Sequence, residues 1–203
     1  MGGHDLPAAN DNRVPARGKP IMIGLTGLRN VGKSTVAKLL KDEFGFVLVH
    51  AFASGKEATR EWFIAIGVDA ETAWEMVHGD LKDVPSDELP GGVAPRFFLE
   101  KFGHFMGATM GVDWTLGLEV ALARRRYPGT PIVVESLVYE APWLKAQGGI
   151  VWRLERPGHN GPTGVESDAV QAAVAADATI SARSVDELKD RARVVVQQMV
   201  GGV

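Results

Sequence analysis

Ile21-Met22-Ile23-Gly24-Leu25-Thr26-Gly27-Leu28-Arg29-Asn30-Val31-Gly32-Lys33-Ser34-Thr35-Val36, residues 21–36, decides the fold. Residues 21–26 are a short apolar run, the pattern of a strand buried on both faces. Residues 27–34 match G-x-x-x-x-G-K-[ST]. Val36, Leu39, Leu40 and Phe44 then recur at helical spacing, and Gly45 stops the helix. The glycines let the backbone turn so that successive N–H groups point at phosphate oxygens. The positive end of the following helix faces the same anion. Lys33 can reach the β and γ phosphates, and the Ser34 hydroxyl can bind Mg²⁺. Gly27, Leu28, Arg29, Asn30, Val31, Gly32, Lys33, Ser34 and Thr35 are therefore the candidate nucleotide-binding residues.

Working outward, 203 residues suit one α/β domain, and 45% apolar with 23% charged residues is ordinary for a globular protein. The chain has no cysteine, which excludes disulfides, thiolate zinc sites and a cysteine nucleophile. No run of 18 apolar residues occurs, so no membrane-spanning helix is expected. The net charge of −3 gives no strong overall attraction to nucleic acid or to an anionic membrane. Residues 1–20 are rich in Gly, Pro, Asn and Asp, carry no secretion signal and are predicted to be a disordered tail. A cytoplasmic location fits this composition, and the oligomeric state, monomer or homodimer, stays open.

Beyond the first helix, 46–50 reads as a second strand. Ser54 with Glu57 is a capping-box signal for a helix through Ile66, and Asp69 can cap another to about His78. Residues 81–94 hold two prolines and a Gly-Gly pair and are predicted to be a loop. Helices are predicted over 95–110 and 113–127, the second with Asp113 as N-cap. Strands follow at 132–135, 150–154 and near 178–181. A short helix falls at 139–147, and a second capping box, Ser184 with Glu187, opens a last helix. Strands separated by helices imply parallel pairing with right-handed crossovers. The prediction is a three-layer α/β fold, the P-loop kinase fold that the resemblance described next implies. It has a five-stranded parallel sheet, a helical substrate-binding insertion at about 54–127 and a Gly/Pro-rich lid at about 155–167.

Two observations count against a GTPase. No Asn-Lys pair occurs, and the Asp-x-x-Gly pattern appears only as Asp42 to Gly45, inside the first helix. From Ile21 onward the chain resembles the bacteriophage-type deoxynucleoside monophosphate kinases, within the nucleoside monophosphate kinase group. The resemblance rests on Ile23-Gly24-Leu25-Thr26-Gly27, on Phe52-Ala53 followed by Lys56-Glu57-Ala58, and on Pro95-Arg96 with Leu99 and Gly103. Trp114, Glu140-Ala141, Gly148-Gly149, Arg156-Pro157-Gly158 and Asp177 leading into Ser184-Val185-Asp186-Glu187-Leu188 follow in the same order. It implies phosphoryl transfer from ATP to a deoxynucleoside monophosphate.

Such transfer needs positioning and charge neutralisation, hence a cationic cleft with Mg²⁺. Lys56 and Arg60, one turn apart, are candidate acceptor-phosphate ligands, with a solvated basic face as the other reading. Arg96 stands where the resemblance places a substrate-binding arginine, and its fork suits a phosphate monoester. Trp114 is read either as a wall of the base pocket or as a packed core residue, and Phe97, Phe98, Phe102 and Phe105 as core. Glu135, ending the third strand, faces the phosphate loop in this fold and could hold Mg²⁺ through water or orient the acceptor. Arg153 and Arg156 flank the lid and are candidates for neutralising the transferring phosphoryl group. Arg183 lies where related kinases stack adenine. Lys33, Arg96, Glu135 and Arg156 are thus the candidate catalytic residues, and Ser34 with Glu135 the candidate metal ligands. The histidines have no metal-ligand spacing.

The chain departs from the resemblance after strand three. The usual Asp-x-Arg is absent, the segment reads Glu135-Ser136-Leu137-Val138-Tyr139-Glu140, and no arginine falls between Arg126 and Arg153. A modified nucleotide, a base in DNA, another small molecule such as dephospho-coenzyme A, or a non-catalytic nucleotide-binding module therefore stay open. Against dephospho-coenzyme A kinases, the chain carries His50-Ala51-Phe52 where an acidic residue is expected.

Overall fold

The computed structural model describes residues 20–159, 161 and 166–200. The expected tail therefore falls outside the described residues except for Pro20, as does part of the expected lid. The five strands are β1 (Met22–Thr26), β2 (Val47–Val49), β3 (Ile132–Val134), β4 (Ile150–Glu155) and β5 (Ala178–Ser181). They form one sheet in the order β2-β3-β1-β4-β5, every pair parallel. β1 is central, with Met22 beside Ile132 on β3 and Ile23 beside Ile150 on β4. All five of its residues are buried, as an apolar strand covered on both faces requires.

Helices cover both faces. On one, α1 (Lys33–Phe44) and α8 (Val185–Val200) bury Val36, Leu39, Leu40, Leu188 and Ala192 against Ile23, Leu25 and Trp152. The fork of Arg193 on α8 clamps the Glu43 carboxylate of α1 at 2.7 Å. On the other face, α5 (Leu116–Arg126) and α6 (Ala141–Ala146) bury Leu116, Val120 and Leu144 against Met22, Val134 and Val151. The short α7 (Glu166–Ala173) precedes β5.

The insertion between β2 and β3 has its own core. It holds α2 (Ala53–Ala65), α3 (Ala70–Val77), α4 (Pro95–His104) and α5. Phe63, Val68, Ala73, Met76, Val77, Leu89 and Leu99 pack together, with Phe52 and Phe98 against them. Trp62 stacks on Phe98 at 4.4 Å between ring centres. The expectation of a phenylalanine core holds for Phe98 and Phe102, but Phe97 and Phe105 are exposed.

Several local expectations are corrected. Ser54 does not cap α2, because it already lies within the helix and its hydroxyl donates to Glu119 at 2.5 Å. Asp69 does cap α3, accepting from the Glu71 and Thr72 amides. Asp113 caps nothing; it accepts from the Trp143 indole N–H at 2.9 Å. The expected loop at 81–94 contains two turns of 3₁₀ helix, Asp80–Asp83 and Pro90–Gly92. The expected 95–110 helix widens into a π-helical turn over Phe105–Met110, which Gly111 ends at φ 99°. Apolar spacing reports a helical face but does not separate α from π winding. Ser184 accepts from the Glu187 amide as expected, while the Glu187 carboxylate accepts from the Arg183 amide, one residue earlier than a full box requires.

The passage from β1 into α1 is the tightest local constraint. Gly27 has φ 139°, and a Cβ there would stand 2.4 Å from the Leu154 carbonyl oxygen of β4. Both obstacles are backbone and cannot rotate away. Gly27→Ala is expected to lower stability by about 1–3 kcal/mol from backbone conformation alone, read as a shift of the urea midpoint, with further loss from displacing β4.

Candidate active site

The phosphate loop bridges the end of β1 and the start of α1. Its backbone turns at Gly27, at Asn30 (φ 59°) and at Gly32 (φ 118°). The Lys33 ammonium curls back along the loop and donates to the carbonyls of Gly27 at 2.7 Å and Leu28 at 2.9 Å. Ser34, in the first turn of α1, donates its hydroxyl to Glu135 Oε1. Glu135 is the first residue beyond β3, and its amide still donates to the Val49 carbonyl at 2.9 Å. Two chain segments 101 residues apart thus meet at the expected metal position. Among the described residues no group of three or more His, Cys, Asp or Glu could hold a metal ion. Mg²⁺ usually takes one or two protein oxygens and completes its shell with phosphate and water. The Ser34 hydroxyl and Glu135 carboxylate fit that donor set.

A cavity of about 320 Å³ opens over these groups. The loop supplies Arg29, Asn30, Lys33 and Ser34 to its wall, and the segment after β3 supplies Glu135 and Ser136. The insertion supplies the facing wall, with Lys56 of α2, Lys82 of the 80–83 turn and Arg96 of α4. Phe52, Leu99, Gly103, His104, Tyr139 and Gln171 also line the cavity. This crevice lies beyond the carboxyl ends of the strands, where open α/β sheets bind ligands.

Charge in the cavity is concentrated on the insertion side. Burial, with the Lys82 ammonium next in weight, pulls the Lys56 ammonium down to about 8. Burial and then Arg96 lower Lys82 as well. Arg96 grips both carboxylate oxygens of Asp83, with Nη2 to Oδ2 at 2.8 Å, and this pairing holds Asp83 below the usual carboxylate range. His50, just past β2, accepts the Phe52 amide on Nδ1 at 3.0 Å, and burial followed by Lys56 pulls it down to about 3. It is therefore neutral at physiological pH with its proton on Nε2. Glu140 accepts the Val138 amide at 2.7 Å, and burial pushes its carboxyl up.

Of the candidates read from sequence, the structure brings Arg29, Asn30, Lys33, Ser34, Lys56, Arg96 and Glu135 to this one cavity. Others it directs elsewhere. Arg60 does not line the cavity and pairs with Glu57 at 3.1 Å and Glu61 at 2.6 Å on the outside of α2. Trp114 is 61% exposed, neither packed in the core nor on the cavity wall. Arg153 donates to the carbonyls of Gln171, Ala172 and Val174, covering the open carboxyl end of α7. Arg156 lies on the far side of the phosphate loop. It donates to the Asn30 carbonyl at 2.7 Å and meets His159 Nδ1, whose Nε2 meets the Arg29 carbonyl at 2.9 Å. Residues 155–159 are thus tied to the loop by the Arg156 and His159 side chains, which meet its backbone carbonyls. Arg183 is exposed at the entry to α8.

Lys82, Asp83 and His50 were not read as site residues from sequence. His50 had a usable signal, since residues immediately past a parallel strand line the crevice. Lys82 had none, because only the packing of α3 and α4 returns its turn to the cleft.

No protein-family model matches the chain, and no curated protein matches it. Among solved structures, it is similar to a dephospho-CoA kinase from Campylobacter jejuni, 16% identical, with 89% of this chain and 98% of that one covered and a TM-score of 0.42. It is also similar to a gluconokinase from Sinorhizobium meliloti, 14% identical, covering 91% and 95%, with a TM-score of 0.39. A shikimate kinase from Bacteroides thetaiotaomicron is 13% identical, covering 89% and 98%, with a TM-score of 0.40. At these scores the likeness assigns neither substrate nor reaction. The chain's own features define a class: an α/β protein with a five-stranded parallel sheet and a phosphate loop between its central strand and first helix. Among the described residues no helix is long and apolar enough to cross a membrane.

Burial of Lys56 has a consequence for stability. Below pH 8 the ammonium is charged both folded and unfolded, and the folded state carries its full desolvation penalty. Between about 8 and 10.5 the unfolded chain binds more protons than the folded one, so stability rises with pH across that window. Lys56→Met is expected to raise the Tm at pH 7 by about 2–4 °C. That advantage should shrink as pH passes from 8 to 10, followed by circular dichroism melts of both proteins.

Proposed function

We infer that the protein transfers the γ-phosphoryl group of ATP to an acceptor that itself bears a phosphate, with a (deoxy)nucleoside monophosphate as the leading class. One observation carries this reading: the phosphate loop and a second cationic wall face each other across one cavity, with Glu135 between them. An acceptor oxygen would attack Pγ, the bond from Pγ to the bridging oxygen would break, and its electron pair would remain on ADP. Lys33 would leave its loop carbonyls for the β and γ phosphates. Ser34 and Glu135 would hold Mg²⁺, whose charge offsets that developing on the phosphoryl oxygens. Lys56 and Arg96 would orient the acceptor phosphate. Arg156 would act indirectly, by holding the Asn30 backbone in place.

The resemblance to bacteriophage-type deoxynucleoside monophosphate kinases supports the choice of acceptor, since Lys56 and Arg96 are among its landmarks and both stand in the cavity. The absent arginine after β3 keeps the identity of the base or sugar open. The test is coupled ADP release with the four common deoxynucleoside monophosphates, backed by labelled ATP offered with modified nucleotides and modified DNA. Stimulation by at least one monophosphate is expected, falling at least about a hundredfold in Lys33→Ala. Labelling of DNA or of an unphosphorylated metabolite alone would replace the monophosphate reading. ATP binding without transfer to any acceptor would leave a nucleotide-binding module.

A further inference from the structure

We propose that Lys82 is the third cation of an acceptor-phosphate site shared with Lys56 and Arg96, and that it makes this site selective for a dianionic phosphate. The proposal rests on the functional reading above, and it concerns a residue that no sequence landmark marks.

Three observations lead to it. Lys56, Lys82 and Arg96 come from three separate elements of the insertion and line one wall of the same cavity. The side chains of Lys56 and Lys82 make no hydrogen bond or ion pair among the described residues, although both are partly buried. Lys82 depresses the protonation of Lys56, and Arg96 depresses that of both lysines, so the three cations stand close enough to repel. Holding two like charges in a partly dry cleft is unfavourable, and a bound anion is the ordinary remedy. The carboxylates that the two lysines feel are engaged with other partners. Glu135 is the acid that both lysines feel, and it is engaged with the Ser34 hydroxyl. Asp83 is held in the fork of Arg96.

The charge count identifies the ligand class. A neutral hydroxyl acceptor would leave the lysines unpaired, and a monocarboxylate would offset one of them. A phosphate monoester carries close to two negative charges at neutral pH and three oxygens, enough for two ammonium groups and one arm of Arg96. The missing arginine after β3 fits the same account, because Lys82 delivers a positive charge to the cleft from a different element.

The low protonation range of Lys56 makes it a site-localised reporter. Its acylation by acetic anhydride at pH 8 can be followed by peptide mass spectrometry while inorganic phosphate is titrated. Lys38, exposed on α1 beside Asp42, serves as the unprotected control. In the unaltered protein phosphate is expected to protect Lys56 and not Lys38. Lys82→Ala should raise the phosphate concentration for half-protection about tenfold, and Lys82→Arg should restore it to within about threefold. Circular dichroism checks that each variant is folded. An unchanged midpoint in Lys82→Ala, or no protection of Lys56 in the unaltered protein, overturns the proposal. No nucleotide turnover is involved, so failure of the kinase assay and failure of this site are separately visible.

Discussion

A single backbone constraint organises the molecule. The chain leaves β1 through a left-handed Gly27 pressed against the Leu154 carbonyl of β4, and reaches α1 through two further left-handed residues, Asn30 and Gly32. Without a Cβ at Gly27, the loop can lie directly over the sheet edge. That places the amino end of α1, Lys33 and Ser34 at the mouth of the crevice, and fixes α1 against β1 and α8. Residues 155–159 then grip the outer side of the loop through Arg156 and His159, so the loop is braced from β4 as well as from its own helix.

Electrostatics divides the cleft in two. On the loop side, Lys33 is satisfied by carbonyls and Ser34 by Glu135, an arrangement a nucleotide and a cation can take over by exchanging partners. On the insertion side the cations are packed closer than they prefer, and Arg96 retains Asp83 as a resident counter-ion. Desolvated like charges are a common mark of a functional site, since a fold selected for stability alone would pair or expose them. The insertion can hold this strain because it has its own core around Phe63, Met76 and Leu99.

The site was partly legible in sequence, and the divide follows how each residue reaches it. Residues 27–35 form the loop by local chain geometry, and Glu135 follows from its place after a parallel strand. Lys56 and Arg96 stand near helix starts, where the resemblance located them. The misplaced arginines share one cause. Guanidinium forks serve carbonyls and carboxylates as readily as phosphates, so Arg60, Arg153 and Arg156 were claimed by Glu57 and Glu61, by the end of α7 and by the Asn30 carbonyl.

The sequence by itself determined the α/β alternation, the phosphate loop, the helical insertion and the candidate metal pair, because these depend on spacing, glycine placement and apolar periodicity over short stretches. Tertiary structure alone decided which cations face the cleft, that the 80–83 turn enters it with Lys82, and that Trp114 faces outward. Those outcomes depend on how α3 and α4 pack against α2, and on competition among distant partners for each charged side chain. Neither leaves a local pattern in the chain.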